Sequence, residues 1–113
     1  MVMPNEFMVK DSGARKSFES GMVRDVTLGK IDYSLVFDGP MLVRWADHLT
    51  KGAMKYEAKN WMKATNQEEY DRFRESACRH FIQVMNGDTD EDHMAAVFFN
   101  LNGMAYVKER INV

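Results

Sequence analysis

The sequence predicts an all-α protein, three principal helices with an extended N-terminal strip, that assembles as an oligomer. Two amphipathic runs carry most of that reading. From Glu68 to Met85 the apolar residues Tyr70, Phe73, Ala77, Phe81 and Val84 recur three and four apart, as one face of an α-helix requires. From Thr89 or Asp90 onward, Met94, Val97, Phe98, Leu101 and Ala105 carry a second such run to Lys108. The third observation is a run from Met41 to about Tyr56, with Leu42, Trp45, Ala46, Leu49, Ala53 and Tyr56 on one side. Its other side holds Arg44, Asp47, His48, Lys51 and Lys55.

Each helix has signals at its ends. Asp38-Gly39-Pro40 breaks the chain ahead of the first, and proline is tolerated in a first turn because its missing N–H is not needed there. Thr65 with Glu68 makes a capping-box start for the second, and Asn86-Gly87 supplies a left-handed stop. The third is expected to begin near Thr89 or Asp90, with Asp90, Glu91 and Asp92 in a first turn where the positive end of the helix dipole favours acids.

Upstream of the helices the pattern changes. Residues 1–20 interleave Ser12, Gly13, Ser17 and Ser20 with charges and hold no period, which reads as a flexible or partner-ordered arm; residues 21–113 then form one domain. From Arg24 to Phe37, Val26, Leu28, Ile31, Tyr33, Leu35 and Phe37 come in near-alternation, broken at Gly29-Lys30. An extended segment across the helices is expected there, since a lone hairpin is marginal in water.

A chain of 113 residues is long enough for one real core. Its 45% hydrophobic content supports a folded globule, and a net charge of −2 argues against binding duplex DNA or RNA, which needs a basic face. Cys78 is the only cysteine, so no intrachain disulfide forms; beside Ala77 it reads as a buried thiol in a reducing cytoplasm. Pro4, Asn5, Glu6 and Lys10 interrupt the apolar residues of the N-terminus, so no signal peptide is expected, and no stretch approaches the length of a membrane span. Ten methionines suit core filling or an adaptable subunit interface.

Chemistry concentrates around the link between the second and third helices. Arg79-His80, then Gly87-Asp88-Thr89-Asp90-Glu91-Asp92-His93, then Asn100 gather an arginine, two histidines, four acids and an amide. His80 shares a face with Phe73, Ala77 and Val84; His93, Val97, Asn100 and Met104 line up on the next helix. Antiparallel packing brings these rows together. Taken singly, a core-edge histidine is a hydrogen-bonded structural residue and an acid run is a solvated cap; their combination points to a site for phosphate, metal or both. The run Lys55-Tyr56-Glu57-Ala58-Lys59-Asn60-Trp61 adds aromatics and cations, suited to stacking a base and neutralising phosphate; the structural alternative is Trp61 plugged into the core.

Six ordered blocks, Gly21 to Asp25, Gly29-Lys30, Lys51 to Tyr56, Asn60-Trp61, Ser76 to His80 and Gly87 to Ala96 with Asn100, resemble a family common in bacteriophages, the dATP/dGTP diphosphohydrolase N-terminal domain. The resemblance spans about Gly21 to Glu109. It implies phosphate contacts at Arg24, Lys30, Lys51, Lys55 and Arg79, stacking on Tyr56 and Trp61 beside Asn60, and a polar floor of His80, Asp92, His93 and Asn100. Around Tyr33 the chain departs from the family, with Asp32 and Ser34 where a basic residue and an aspartate are usual.

Related MazG-like all-α pyrophosphohydrolases grip Mg²⁺ with Glu-x-x-Glu and Glu-x-x-Asp pairs, carboxylates one helical turn apart. No double pair occurs here: Glu68 with Asp71 stands alone, and Asp88 with Glu91 spans a loop. The leading expectation is therefore a small cytoplasmic, phage-type protein that binds and sequesters a nucleotide or nucleotide-derived signal without hydrolysing it, with no certain cofactor. The alternative is a dATP/dGTP pyrophosphohydrolase using Mg²⁺ or Mn²⁺ on Asp88, Asp92, His80 and His93. A protein-interaction module built on Trp45, Trp61 and the methionines is the third reading.

Overall fold

The computed structural model describes residues 8–111. Expectations that fall on residues 1–7 and 112–113, including the first part of the arm, lie outside the described residues. The chain divides into two compact units, the first ending at Tyr33 and the second beginning at Ser34.

The first unit is organised by a hairpin. Strand β1 (Arg15–Ser17) pairs antiparallel with β2 (Val23–Asp25), with Lys16 opposite Arg24. The turn closes when the Gly21 N–H donates to Phe18 O at 2.9 Å, and Gly21 sits at φ 90°, a left-handed angle that a side chain would oppose. The hairpin straddles the expected boundary between an arm over 1–20 and a domain over 21–113. Asp25 braces it: one carboxylate oxygen accepts from the Ser12 hydroxyl, the other from the Ser12 N–H, and these bonds hold its carboxyl below the usual range.

The extended run expected from Arg24 to Phe37 is shorter than its alternation suggests. Only Val23–Asp25 is strand; a turn follows, with the Lys30 N–H donating to Thr27 O, and Tyr33–Phe37 winds into a 3₁₀ helix. The reason is the backbone: without a further strand to accept its N–H groups, a β-prone segment satisfies them locally.

The second unit holds three α-helices, α1 (Met41–Lys55), α2 (Gln67–Asn86) and α3 (His93–Ile111), with a 3₁₀ turn (Asn60–Lys63) between α1 and α2. Among the described residues, no helix is long and apolar enough to cross a membrane. Pro40 caps α1 as its position predicts. The α2 cap lies one residue later than Thr65/Glu68: Asn66 accepts from the Glu69 N–H at 2.9 Å, and Glu69 Oε1 accepts from the Thr65 N–H at 3.0 Å. Gly87, at φ 78°, ends α2 as expected, with the N–H groups of Gly87 and Asp88 donating to Val84 O and Gln83 O.

α3 begins three residues later than its acid run implies. Asp92 is its N-cap, accepting from the Ala95 N–H at 3.1 Å, so Asp90 and Glu91 belong to the link and not to a first turn.

α3 is the spine of the unit, with α2 along one side and α1 on another. Its inner face, Ala96, Asn100, Gly103 and Val107, is small enough for close approach, and the Phe73 ring of α2 rests directly on Gly103. Met94, Phe98 and Leu101, on the opposite side of α3, stay exposed, as do Phe81, Ile82 and Met85 on α2. Cys78 is also exposed, against the expectation of a buried thiol, because one residue past Ala77 turns it about 100° off the core stripe.

Candidate functional site

A cleft of about 860 Å³ opens between the end of α1, the 3₁₀ turn, the start of α2 and the middle of α3. Aromatic rings make its walls. Trp61 stands edge-on to Phe99 and Tyr106, with centroids 6.5 and 5.1 Å away, while Phe73 and His48 flank Phe99 at 6.1 and 5.2 Å. Tyr56, Asn60, Trp61 and Asn100, four of the expected ligand residues, line the same space. Trp61 is half-buried, so it serves both the core and the cleft wall.

Two polar features give the cleft direction. Asn100 is 6% exposed; its Nδ2 donates to Ala96 O one turn back at 2.8 Å, and its Oδ1 has no hydrogen-bond partner among the described residues. At the rim Lys59 holds φ 64°, the left-handed region that side chains resist, and its ammonium makes no ion pair among the described residues. Backbone strain of this kind is often kept where a side chain has to be aimed.

Sequence reasoning missed Lys59, His48 and Arg72 in this cleft. Lys59 lay in plain view within the Lys55 to Trp61 run, but only the left-handed turn selects it over Lys55. His48 was assigned to the polar side of α1; it falls three residues after Trp45, on the side that meets α3, where it packs on Phe99.

The acidic link forms a second, separate locus. His80 Nδ1 lies 2.9 Å from His93 Nδ1, and His93 Nε2 lies 2.7 Å from Asp90 Oδ1. A carboxylate only accepts, so His93 donates through Nε2 and accepts at Nδ1, which makes His80 the donor through its own Nδ1. His93 is 2% exposed, His80 half-buried, and burial, followed by the repulsion that a second proton on the pair would meet, pushes the His80 imidazole below its ordinary value. Antiparallel packing was expected to bring His80 toward the middle of the row from His93 to Asn100; it meets the His93 end, in a carboxylate–imidazole–imidazole chain.

Asp92 is engaged elsewhere. Arg44 of α1 grips it through two bonds, Nε to Oδ2 at 2.7 Å and Nη2 to Oδ1 at 2.5 Å, and its carboxyl is pushed down to about 2, chiefly by that guanidinium. Together with the bond from the Ala95 N–H, this makes Asp92 a clamp from α1 to the start of α3. Asp88 and His93 line a smaller recess of about 280 Å³ with Arg44 and Glu91.

The remaining predicted contacts are dispersed. Lys51 pairs with Asp47 at 2.8 Å, Lys55 sits 5.1 Å from the Tyr56 ring centroid, and Arg79 pairs with Glu75 at 2.8 Å. Arg24 lies on β2 and Lys30 faces Asp25 at 3.9 Å, both in the first unit.

For a metal, Asp90, Glu91 and His93 bring one ligand atom each within 4.8 Å of one another. Two carboxylates with an imidazole suit Mn²⁺ better than Mg²⁺, which prefers oxygen alone. An ion bound at Nε2 would replace the His93–Asp90 hydrogen bond. Asp92, tied to Arg44, stands outside this group.

Residues 20–111 match the family described as dATP/dGTP diphosphohydrolase, N-terminal. The chain belongs to that family. No curated protein and no solved structure matches it. Within the family blocks, the 3₁₀ turn and Asn100 build the cleft, whereas the Ser76–His80 and Gly87–Ala96 blocks build the histidine pair and its acidic link.

Proposed function

We propose that this domain binds a purine nucleotide, or a molecule derived from one, in the aromatic cleft and holds it without hydrolysis. The observation that carries the reading is the cleft itself: about 860 Å³, walled by Trp61, Tyr56, Phe73 and Phe99, with the buried Asn100 amide inside and the Lys59 charge at its rim. Rings stack a base, an amide bonds its edge, and a rim cation meets phosphate. The carboxylates lining the cleft support binding over turnover. Glu57 and Glu69 line it, and neither has an acid three or four residues away in the chain with which to grip an ion from one helical turn. In this reading a bacteriophage would use the protein to keep a nucleotide out of circulation in the host cytoplasm.

Hydrolysis is the second reading, favoured by the family and by the Asp90, Glu91 and His93 cluster. The test is calorimetric titration with dATP and dGTP, with and without Mn²⁺, followed by chromatography of the mixture. Saturable binding with intact triphosphate is the expected result; release of pyrophosphate selects the second reading.

Self-association belongs to the same proposal, a second copy covering the apolar side of α3 and α2 formed by Met94, Leu101, Phe81 and Met85. Light scattering at micromolar concentration should give at least twice the chain mass, and Leu101→Lys should lower it. A monomeric native protein would end that part of the proposal.

A further inference from the structure

We infer that the β1–β2 hairpin carries a binding face for single-stranded nucleic acid, with Lys16 and Arg24 meeting its phosphates and Phe18 stacking on a base. The inference is independent of the nucleotide reading of the cleft. Gly21, at φ 90°, fixes the turn and with it the register, which sets Lys16 directly opposite Arg24. Residues so placed hold their β-carbons about 5 Å apart, and like charges there repel each other. Neither side chain has an ion pair or a hydrogen bond among the described residues. Side-chain alternation gives the same face Phe18 and Met22, 44% and 51% exposed, where the Phe18 N–H donates to Met22 O at 2.9 Å.

The acids beside the strands serve the other face. Asp11 accepts two bonds from Arg15, at 2.7 and 2.8 Å, while Asp25 draws in Arg15 at 3.6 Å and Lys30 at 3.9 Å. Glu19, in the turn, pairs with neither Lys16 nor Arg24 among the described residues. Two unneutralised cations beside a ring suit an anion that carries flat rings of its own, and a phosphate between them relieves their repulsion. Free nucleotides are held in concave sites that bury most of the molecule, whereas all four residues of this face are exposed. A single strand needs no such enclosure, because phosphates and bases recur along it and every base has a π-face. A duplex keeps its bases stacked away from Phe18. An anionic membrane needs a broader apolar stripe than Phe18 and Met22 provide.

The experiment titrates the full chain into fluorescein-labelled oligothymidylate and oligouridylate, reading anisotropy at several salt concentrations. Binding of either strand is expected, with log affinity falling against log salt at a slope of about −1.4, the value for two phosphate contacts. Lys16→Thr and Arg24→Thr should each halve that slope, and Phe18→Leu should weaken binding about fivefold without changing it. Threonine suits a strand and removes the cross-strand repulsion, so these variants keep the hairpin. Lys108→Gln, which removes one charge from α3, should bind as the native protein does. Binding of neither strand, a slope that the two hairpin variants leave unchanged, or an equal loss in Lys108→Gln overturns the inference.

Discussion

His80 and His93 face each other Nδ1 to Nδ1 at 2.9 Å, with one proton between them. A second proton would set two N–H groups head to head. Because burial and the repulsion that a second proton would meet lower the His80 value, the native protein holds fewer protons than the unfolded chain just below the ordinary imidazole value of 6.5. This contribution is complete above pH 6.5 and declines as pH falls through the lowered value. Urea unfolding at pH 8, 6.5 and 5 should show midpoints dropping toward acid, with a shallower drop in His80→Gln. Equal slopes for the two proteins would assign the acid sensitivity to other groups.

A second acid step belongs to Asp92. Its carboxyl titrates at about 2, against an ordinary 3.8, so its contribution is complete above 3.8 and lost as pH falls toward 2. Asp92→Asn should cost about 1 kcal/mol at neutral pH, a modest figure because the side chains of Arg44 and Asp92 are 38% and 35% exposed and water screens them. Asp92→Ala should cost more, since the cap on the Ala95 N–H goes as well. Thermal melts of the two variants order these effects.

Gly103 sits where α2 and α3 come closest. A β-carbon there would lie 2.6 Å from ring carbons of Phe73, well inside contact distance. Gly103→Ala is expected to destabilise by about 1–3 kcal/mol, the usual cost of overpacking. Phe73→Leu in the same chain should recover part of that loss, a coupling that a double-mutant cycle measures directly.

Lys59 should separate stability from binding. Glycine accepts φ 64° freely, so Lys59→Gly is expected to gain about 1 kcal/mol while losing the rim charge. A higher melting temperature with weaker triphosphate binding, and unchanged binding of the free nucleoside, is the anticipated pattern. If triphosphate affinity does not change, phosphate lies elsewhere.

Trp61→Ala removes both a cleft wall and a core contact, whereas Trp61→Phe keeps an aromatic face. Affinity should fall by about 1–3 kcal/mol in the first, the value of one base stack, and much less in the second. Circular dichroism distinguishes lost binding from lost fold.

The α-helices were legible in the sequence because their information is local. A 3.6-residue period and the left-handed tolerance of Gly87 act within a few residues, so the elements and the α2 stop could be read without knowing any neighbour. That the His80 face of α2 and the His93 face of α3 lie together was legible for the same reason, since antiparallel helices joined by a short link bring such rows together, but which residue His80 meets was not. Local signals also had limits. Thr65 and Asn66 both offer a capping oxygen, and Asn66 took the role; the alternation from Arg24 to Phe37 marked strand-prone residues, but a ladder needs a partner strand that no local pattern supplies.

Tertiary structure alone decided the division of one apparent polar cluster into two places. Asp92 left the expected site because Arg44, 48 residues away in sequence, reaches it, and the sequence carries no sign of that pairing. Lys59 was singled out from Lys51 and Lys55 by a backbone angle, and His48 joined the cleft because α1 meets α3 along that side. The physical reason is common to all three. Composition and period fix which residues an element presents, but the partner of a charge, an amide or a ring is set by which distant surface arrives opposite it.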